Sequence, residues 1–245
     1  MLNAGSRAFR ISARIFLIMV FIALGHLDAR AISLQISPVS IEILDPSSTA
    51  TLTLKVEGKE LTRVQIRVFR WTQEEGKDVL VNTTDAVASP PFITLKPNTN
   101  YTVRIVRQLT QPITSEETYR VVIDQLPNQM AAADGVVGMT MRFSIPAFVR
   151  PNHPIRSNVV WTSTVTNQHI SLTATNKGDR TAKISDLKIT LGKETLAMGD
   201  SLAGYIMPSK SKTWISSTPV QIAGGTVKVN AQGEMGPINV DIPLR

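Results

Sequence analysis

Few side chains in this sequence could carry covalent chemistry, and they can be weighed one at a time. "GDSL", Gly199 to Leu202, has the form of an esterase nucleophile motif. A serine of that kind needs a base within hydrogen-bond reach. In α/β esterases the motif lies near the start of the chain, with an Asp-x-x-His late in it. Here it lies late, in β surroundings, and no histidine follows it. Gly, Asp and Ser in succession read instead as a turn between two strands. The three histidines, His26, His153 and His169, fall in unrelated contexts, and there is no cysteine. No cluster has metal-ligand spacing, and no glycine-rich loop ends in Lys-Ser/Thr to cradle a phosphate. The expectation is a non-enzyme with no catalytic residues, metal, nucleotide or other cofactor.

The arginines are the other candidates. Arg63, Arg67 and Arg70 share one segment, and Arg104, Arg107 and Arg120 lie on others. They could be solvated strand faces and edge protection, or they could grip a carboxylate. Composition does not choose between these. The formal charge is +7, from 26 basic and 19 acidic residues. Residues 1–31 carry four of those arginines and one aspartate, so the remainder has 22 basic and 18 acidic residues, or +4. That charge is spread over both halves, which argues against a nucleic-acid partner.

The segment that holds those four arginines has its own logic. Arg7, Arg10 and Arg14 precede the apolar run "IFLIMVFIAL", and Ala29-Arg30-Ala31 offers a small-x-small cleavage site. This is the layout of a secretory signal peptide, here 1–31. A spanning helix needs about 20 apolar residues, and Gly25-His26-Leu27-Asp28 interrupts this run well short of that. The expectation is an exported protein with no stable membrane insertion after cleavage. Without disulfides it must hold together by burial alone.

The elements that must position any site are strands. "SLQISPVSIEIL", "TATLTLKVEG", "TRVQIRVFRWTQ", "YTVRIVR" and "ETYRVVIDQLP" alternate apolar and polar residues. About seven such strands in some 120 residues match the count of an immunoglobulin-like sandwich. Arg150-Pro151-Asn152-His153-Pro154 stiffens a connection, and "NVVWTSTV", "ISLTATN", "AKISDLKITL", "KTWISS", "GTVKVNAQG" and "INVDIPL" follow it. The predicted fold is all-β: two tandem sandwich domains, 32–150 and 151–245, after the signal peptide.

One strand is unusual. In "GVVGMTMRFSIPAFVRP", Val137, Met139, Met141, Phe143 and Ile145 take one side of the alternation. Two unbranched methionines sit where a sandwich core would prefer β-branched residues. Alternation alone favours a strand that faces its own core.

The blocks "SLQISPVSIEI", "VQIRVFRWTQ", "SPPFITLKP…YTVRIVR", "EETYRVVIDQLP" and "RFSIPAFVRP" occur in this order. Together they closely resemble the periplasmic pilus-assembly chaperones of the chaperone–usher pathway (PapD-like proteins). Within that family the sequence looks like the subgroup that serves spore-coat-U-like pilins. The resemblance implies a boomerang of two immunoglobulin-like domains located in the periplasm. It also implies pilus subunits and an outer-membrane usher as partners, and a task of folding and capping subunits by donor-strand complementation. Val137, Met139, Met141, Phe143 and Ile145 would then be plugs for the open groove of a subunit, which reverses the reading from alternation alone.

In better-known members, an arginine near the start of the first strand and a lysine on the seventh hold the subunit's C-terminus. Those positions here are Pro38 and Pro146, so the usual clamp is absent. Arg120 is the substitute expected, with Arg104 and Arg142 behind it. Glu116 and Arg150 match two members of an interdomain trio whose aspartate falls at Ala231. The alternative from another class is an exported carbohydrate-binding or adhesive β-sandwich surface protein. It would be expected to show exposed aromatic platforms.

Overall fold

A computed structural model describes residues 33–127, 139–220 and 224–245. The expected signal peptide lies outside the described residues, as does Val137. All regular structure among the described residues is β.

The first domain is a sandwich. One sheet runs β1(Ser33–Ser37)-β3(Thr49–Glu57)-β8(Asn100–Arg107)-β6(Ala86–Ser89). The other runs β2(Ile41–Leu44)-β10(Arg142–Arg150)-β9(Glu117–Gln125)-β4(Thr62–Glu74)-β5(Lys77–Asn82), with β7(Phe92–Leu95) also paired to β4. Alternate residues of both sheets meet in one core: Leu52, Leu54, Val64, Ile66, Val103, Ile105, Val121 and Ile123 are all buried. Strands of period two with one apolar face can satisfy their backbones and bury that face only by such stacking.

The first domain has ten strands against about seven expected, and prolines that divide two of the alternating runs account for two of the additional ones. "SLQISPVSIEIL" reads as one alternating run, yet β1 pairs in one sheet and β2 in the other. Pro38, with no N–H to donate, sits at the crossing. Pro90-Pro91 likewise separates β6 from β7, and the chain changes sheet there.

Beyond Arg150 the strands, among the described residues, pair with one another and not with the first domain. The path is β14(Glu194–Ile206)-β13(Ala182–Leu191)-β16(Gly225–Gly233)-β17(Gly236–Leu244)-β11(Val159–Thr166)-β12(His169–Asn176)-β15(Ser211–Ile215). Both ends of this path face one core: Met198 and Ile206 of β14 share it with Leu172 of β12 and Trp214 of β15. Strand β14 was not foreseen. "GDSL" is not a turn but lies within β14, where Ser201 takes φ of 51° and the β13 pairing shifts register. A bulge lets one residue adopt positive φ while the strand continues on both sides.

Candidate functional site

The edge formed by β10 is built from its register. Strand β9 pairs with β10 along the whole strand, from Arg142↔Asp124 to Val149↔Glu117. On the other side, β2 reaches only Ala147–Arg150. Residues 142–146 of β10 therefore present an unpaired ladder edge among the described residues.

Burial changes along the same segment. Val149, Ala147 and Ile145 are in the sandwich core. Phe143 and Met141 are partly buried against it, and Met139 is 82% exposed. The apolar stripe thus starts inside its own domain and emerges into solvent where the edge opens. Ile145, 5% exposed, is already used by its own core. In this conformation it offers a partner little surface, so Phe143, Met141 and Met139 form the more accessible part of the stripe. The backbone at Met139 and Thr140 is irregular, although Gln125 N–H donates to Met141 O at 2.9 Å, continuing the β9 ladder by one residue.

Arg120, on β9, points to the outer face of the same sheet. Its cross-strand neighbours are Pro146 on β10 and Phe69 on β4. Pro146 holds the seventh-strand position at which the resemblance implied a lysine, so a guanidinium stands one strand away from the missing cation. Burial pushes the Arg120 guanidinium below its ordinary value, opposed by Asp78 and Tyr205. Asp78 Oδ2 lies 3.8 Å away, too far for a hydrogen bond. Among the described residues the Arg120 fork makes no hydrogen bond. It lies over the Trp71 ring, with its central carbon 3.7 Å from the centroid.

The other two arginines differ. Arg142 shares the face of Arg120 but is paired with Asp124, which also accepts from Arg67 Nη2 at 2.6 Å. Burial would raise the Asp124 carboxyl, and the two arginines more than reverse that and hold it below its usual range. Arg104 is exposed on β8, in the opposite sheet, with its neighbours Val103 and Ile105 in the core between. The structure does not bring Arg104 together with Arg120.

Glu116 and Arg150 meet at the domain boundary. Arg150 Nε donates to Glu116 Oε2 at 2.8 Å, and Arg150 Nη1 to Glu42 Oε1 at 2.5 Å. Glu116 Oε1 accepts from the Thr181 N–H of the second domain at 2.7 Å. The second carboxylate on Arg150 is Glu42, from β2 of the first domain, and Ala231 sits in the second core. Burial opposes the Arg150 charge, but the two carboxylates outweigh it and hold the guanidinium above its ordinary value.

Sequence reasoning missed the joint beside this pair. Trp71 and Phe148 of the first domain pack with Tyr205 and Met207 of the second. Trp71 and Tyr205 meet edge to face, with centroids 5.2 Å apart. The available signal was a break of alternation: Phe69 and Trp71 fall on the outer face of β4, opposite Val64 and Ile66. All three tryptophans are buried, so none offers the stacking platform that a sugar-binding surface would use. Ser201 of "GDSL" makes no side-chain hydrogen bond among the described residues. Nor do those residues hold a group of three His, Cys, Asp or Glu placed for a metal.

Residues 33–154 match the family described as pili and flagellar-assembly chaperone, PapD N-terminal domain. No curated protein matches the sequence. Solved structures with the same fold include the CsuC chaperone in its pre-assembly complex with the tip adhesion subunit CsuE, from archaic chaperone–usher Csu pili of Acinetobacter baumannii. That likeness has 21% identity and a TM-score of 0.65, over 86% of this chain and 98% of that one. The Escherichia coli chaperone DraB is similar at 20% identity and a TM-score of 0.59, over 86% and 99%. The Salmonella enterica SafB chaperone, solved with the SafA pilin, is similar at 16% and 0.62, over 86% and 97%. With the tandem sandwich architecture and the family match in its first domain, the chain belongs to the PapD-like pilus-assembly chaperones of the chaperone–usher pathway, a non-enzymatic class.

Proposed function

We propose that this chain works in the periplasm, lends the open edge of β10 to pilus subunits of the spore-coat-U-like type, and passes them to an outer-membrane usher. The observation that carries this reading is the coincidence of two features on one segment. The apolar stripe leaves its own core over Phe143, Met141 and Met139, just where the β10 backbone lacks a second partner. An incoming sheet edge would gain ladder bonds from the backbone and apolar filling from the side chains. Taking a large side chain from full exposure to full burial contributes on the order of 1.5–3 kcal/mol. Met139 can gain close to that, while Phe143 and Met141, already partly buried, gain less each, before association costs. Met139 and Met141 suit this because unbranched side chains adapt to grooves of different shape. Val137, which sequence alternation places in the same set, lies outside the described residues.

Arg120 is the proposed anchor for the subunit's C-terminal carboxylate: an unbonded fork beside the strand that would enter the subunit. The test is co-expression with a neighbouring pilus subunit, followed by purification from the periplasm. Met141→Asp should abolish recovery of the subunit, and Arg120→Ala should reduce it. Full recovery with Met141→Asp would refute the strand assignment. An unchanged yield with Arg120→Ala would retire the anchor alone.

A further inference from the structure

Arg120 is not held by one domain. Its guanidinium lies 3.7 Å from the ring centroid of Trp71, on β4, and 5.4 Å from that of Tyr205, on β14. Tyr205 is itself held through its backbone by Gln73. The Gln73 Nε2 donates to Tyr205 O at 2.8 Å, and Gln73 Oε1 accepts from Met207 N–H at 3.0 Å. This side-chain amide, 1% exposed, bonds the second domain as the backbone of an added strand would. The same Nε2 donates to Asp78 Oδ1 at 2.9 Å. Asp78 Oδ2 in turn faces Arg120.

We propose that Gln73 is a positioning residue for Arg120: it seats Tyr205 over the guanidinium and Asp78 beside it, so that carboxylate capture depends on how the two domains are docked. This rests on the reading of Arg120 as the anchor. A guanidinium packed against two rings has less rotamer freedom left to lose when it bonds a carboxylate. Its N–H groups make no hydrogen bond among the described residues, and Asp78 Oδ2, at 3.8 Å, stands beyond hydrogen-bond range. If the Gln73 bonds are removed, Tyr205 and Met207 lose their tie to β4 and the pre-set fork relaxes. Affinity for a carboxylate then falls while the apolar edge of β10 is untouched.

The experiment uses the full chain, ¹⁵N-labelled, with the Arg120 Nε–H resonance followed by NMR. The probe is an acetylated hexapeptide of alternating valine and serine with a free C-terminal carboxylate, compared with its C-terminal amide. The parent chain should prefer the carboxylate form by about tenfold, as befits one charge-assisted contact. Gln73→Met keeps the side-chain length and removes both interdomain bonds. Tyr205→Leu removes the ring and leaves the Gln73 partner at that residue, a backbone carbonyl, in place. Each variant should reduce the preference to about threefold or less, with the affinity for the amide unchanged. A loosened fold would weaken both peptides together and would count against the proposal. If Gln73→Met does not fold, Tyr205→Leu decides. An undiminished preference in the variants overturns the positioning role and leaves the anchor standing. No preference in the parent chain removes the anchor, and this inference with it.

Discussion

Substituting Arg150 tests the logic of the domain boundary most directly. The Arg150 side chain is 5% exposed and that of Glu116 is fully buried, whereas Glu42 is 44% exposed. Arg150→Met would leave the Glu116 carboxylate buried with one donor, the Thr181 N–H. Stranding a buried charge in this way costs about 3–5 kcal/mol. Glu116→Gln is milder, because Arg150 keeps Glu42 and the glutamine oxygen can still accept from Thr181. It removes one hydrogen bond to a charged group, about 1.5–3 kcal/mol. The double variant has no stranded charge and should be more stable than the sum of the two losses predicts, by about 2 kcal/mol. Urea unfolding followed by both far-UV circular dichroism and tryptophan fluorescence measures this, with coincidence of the two probes as the check on two-state behaviour. Strict additivity, or a loss below about 1 kcal/mol for Arg150→Met, would refute the account of a desolvated, mutually dependent pair.

The apolar stripe that runs from β10 into the residues before it makes a prediction by position. Met139→Asp should leave thermal stability unchanged, because the residue is 82% exposed, yet it should block subunit capture. Ile145→Asp should cost more than about 4 kcal/mol by burying a carboxyl in the first core, visible as a lower Tm or loss of soluble protein. Acid stability supplies another test. Burial would raise the Glu117 carboxyl, but hydrogen bonds from Arg107 and Tyr119 reverse this and hold it below its ordinary value. A carboxyl depressed in the folded state stabilises it above the ordinary carboxylate range, near about pH 4, and that contribution is lost as pH falls through the folded value. Glu117→Gln should therefore destabilise the protein at neutral pH and flatten the fall in stability below about pH 4.5. An equally steep acid transition in the variant would exclude Glu117 as a source of it.

How much was legible can be judged residue by residue. Val64, Ile66 and Val68 declared their strand and its inner face through spacing alone, and all three are buried in the first core. The methionine stripe was visible for the same reason. What spacing could not show is that the stripe changes environment along its length, from core at Ile145 to solvent at Met139. "GDSL" misled because a positive-φ serine inside a strand and one in a turn have the same composition. Glu42 was missed as a partner of Arg150 because 108 residues separate them, and the parallel pairing of β2 with β10 is what joins them.

The sequence by itself determined that this chain is a tandem of β-sandwiches with one oddly apolar strand, because side-chain alternation is a property of neighbours a few residues apart. Only the tertiary structure decided which ladder edge stays open, that Arg120 stands beside Pro146, and that Gln73 reaches across to the second domain. Those facts depend on the register between strands distant in sequence, and register is settled by the joint packing of two sheets rather than by any one segment.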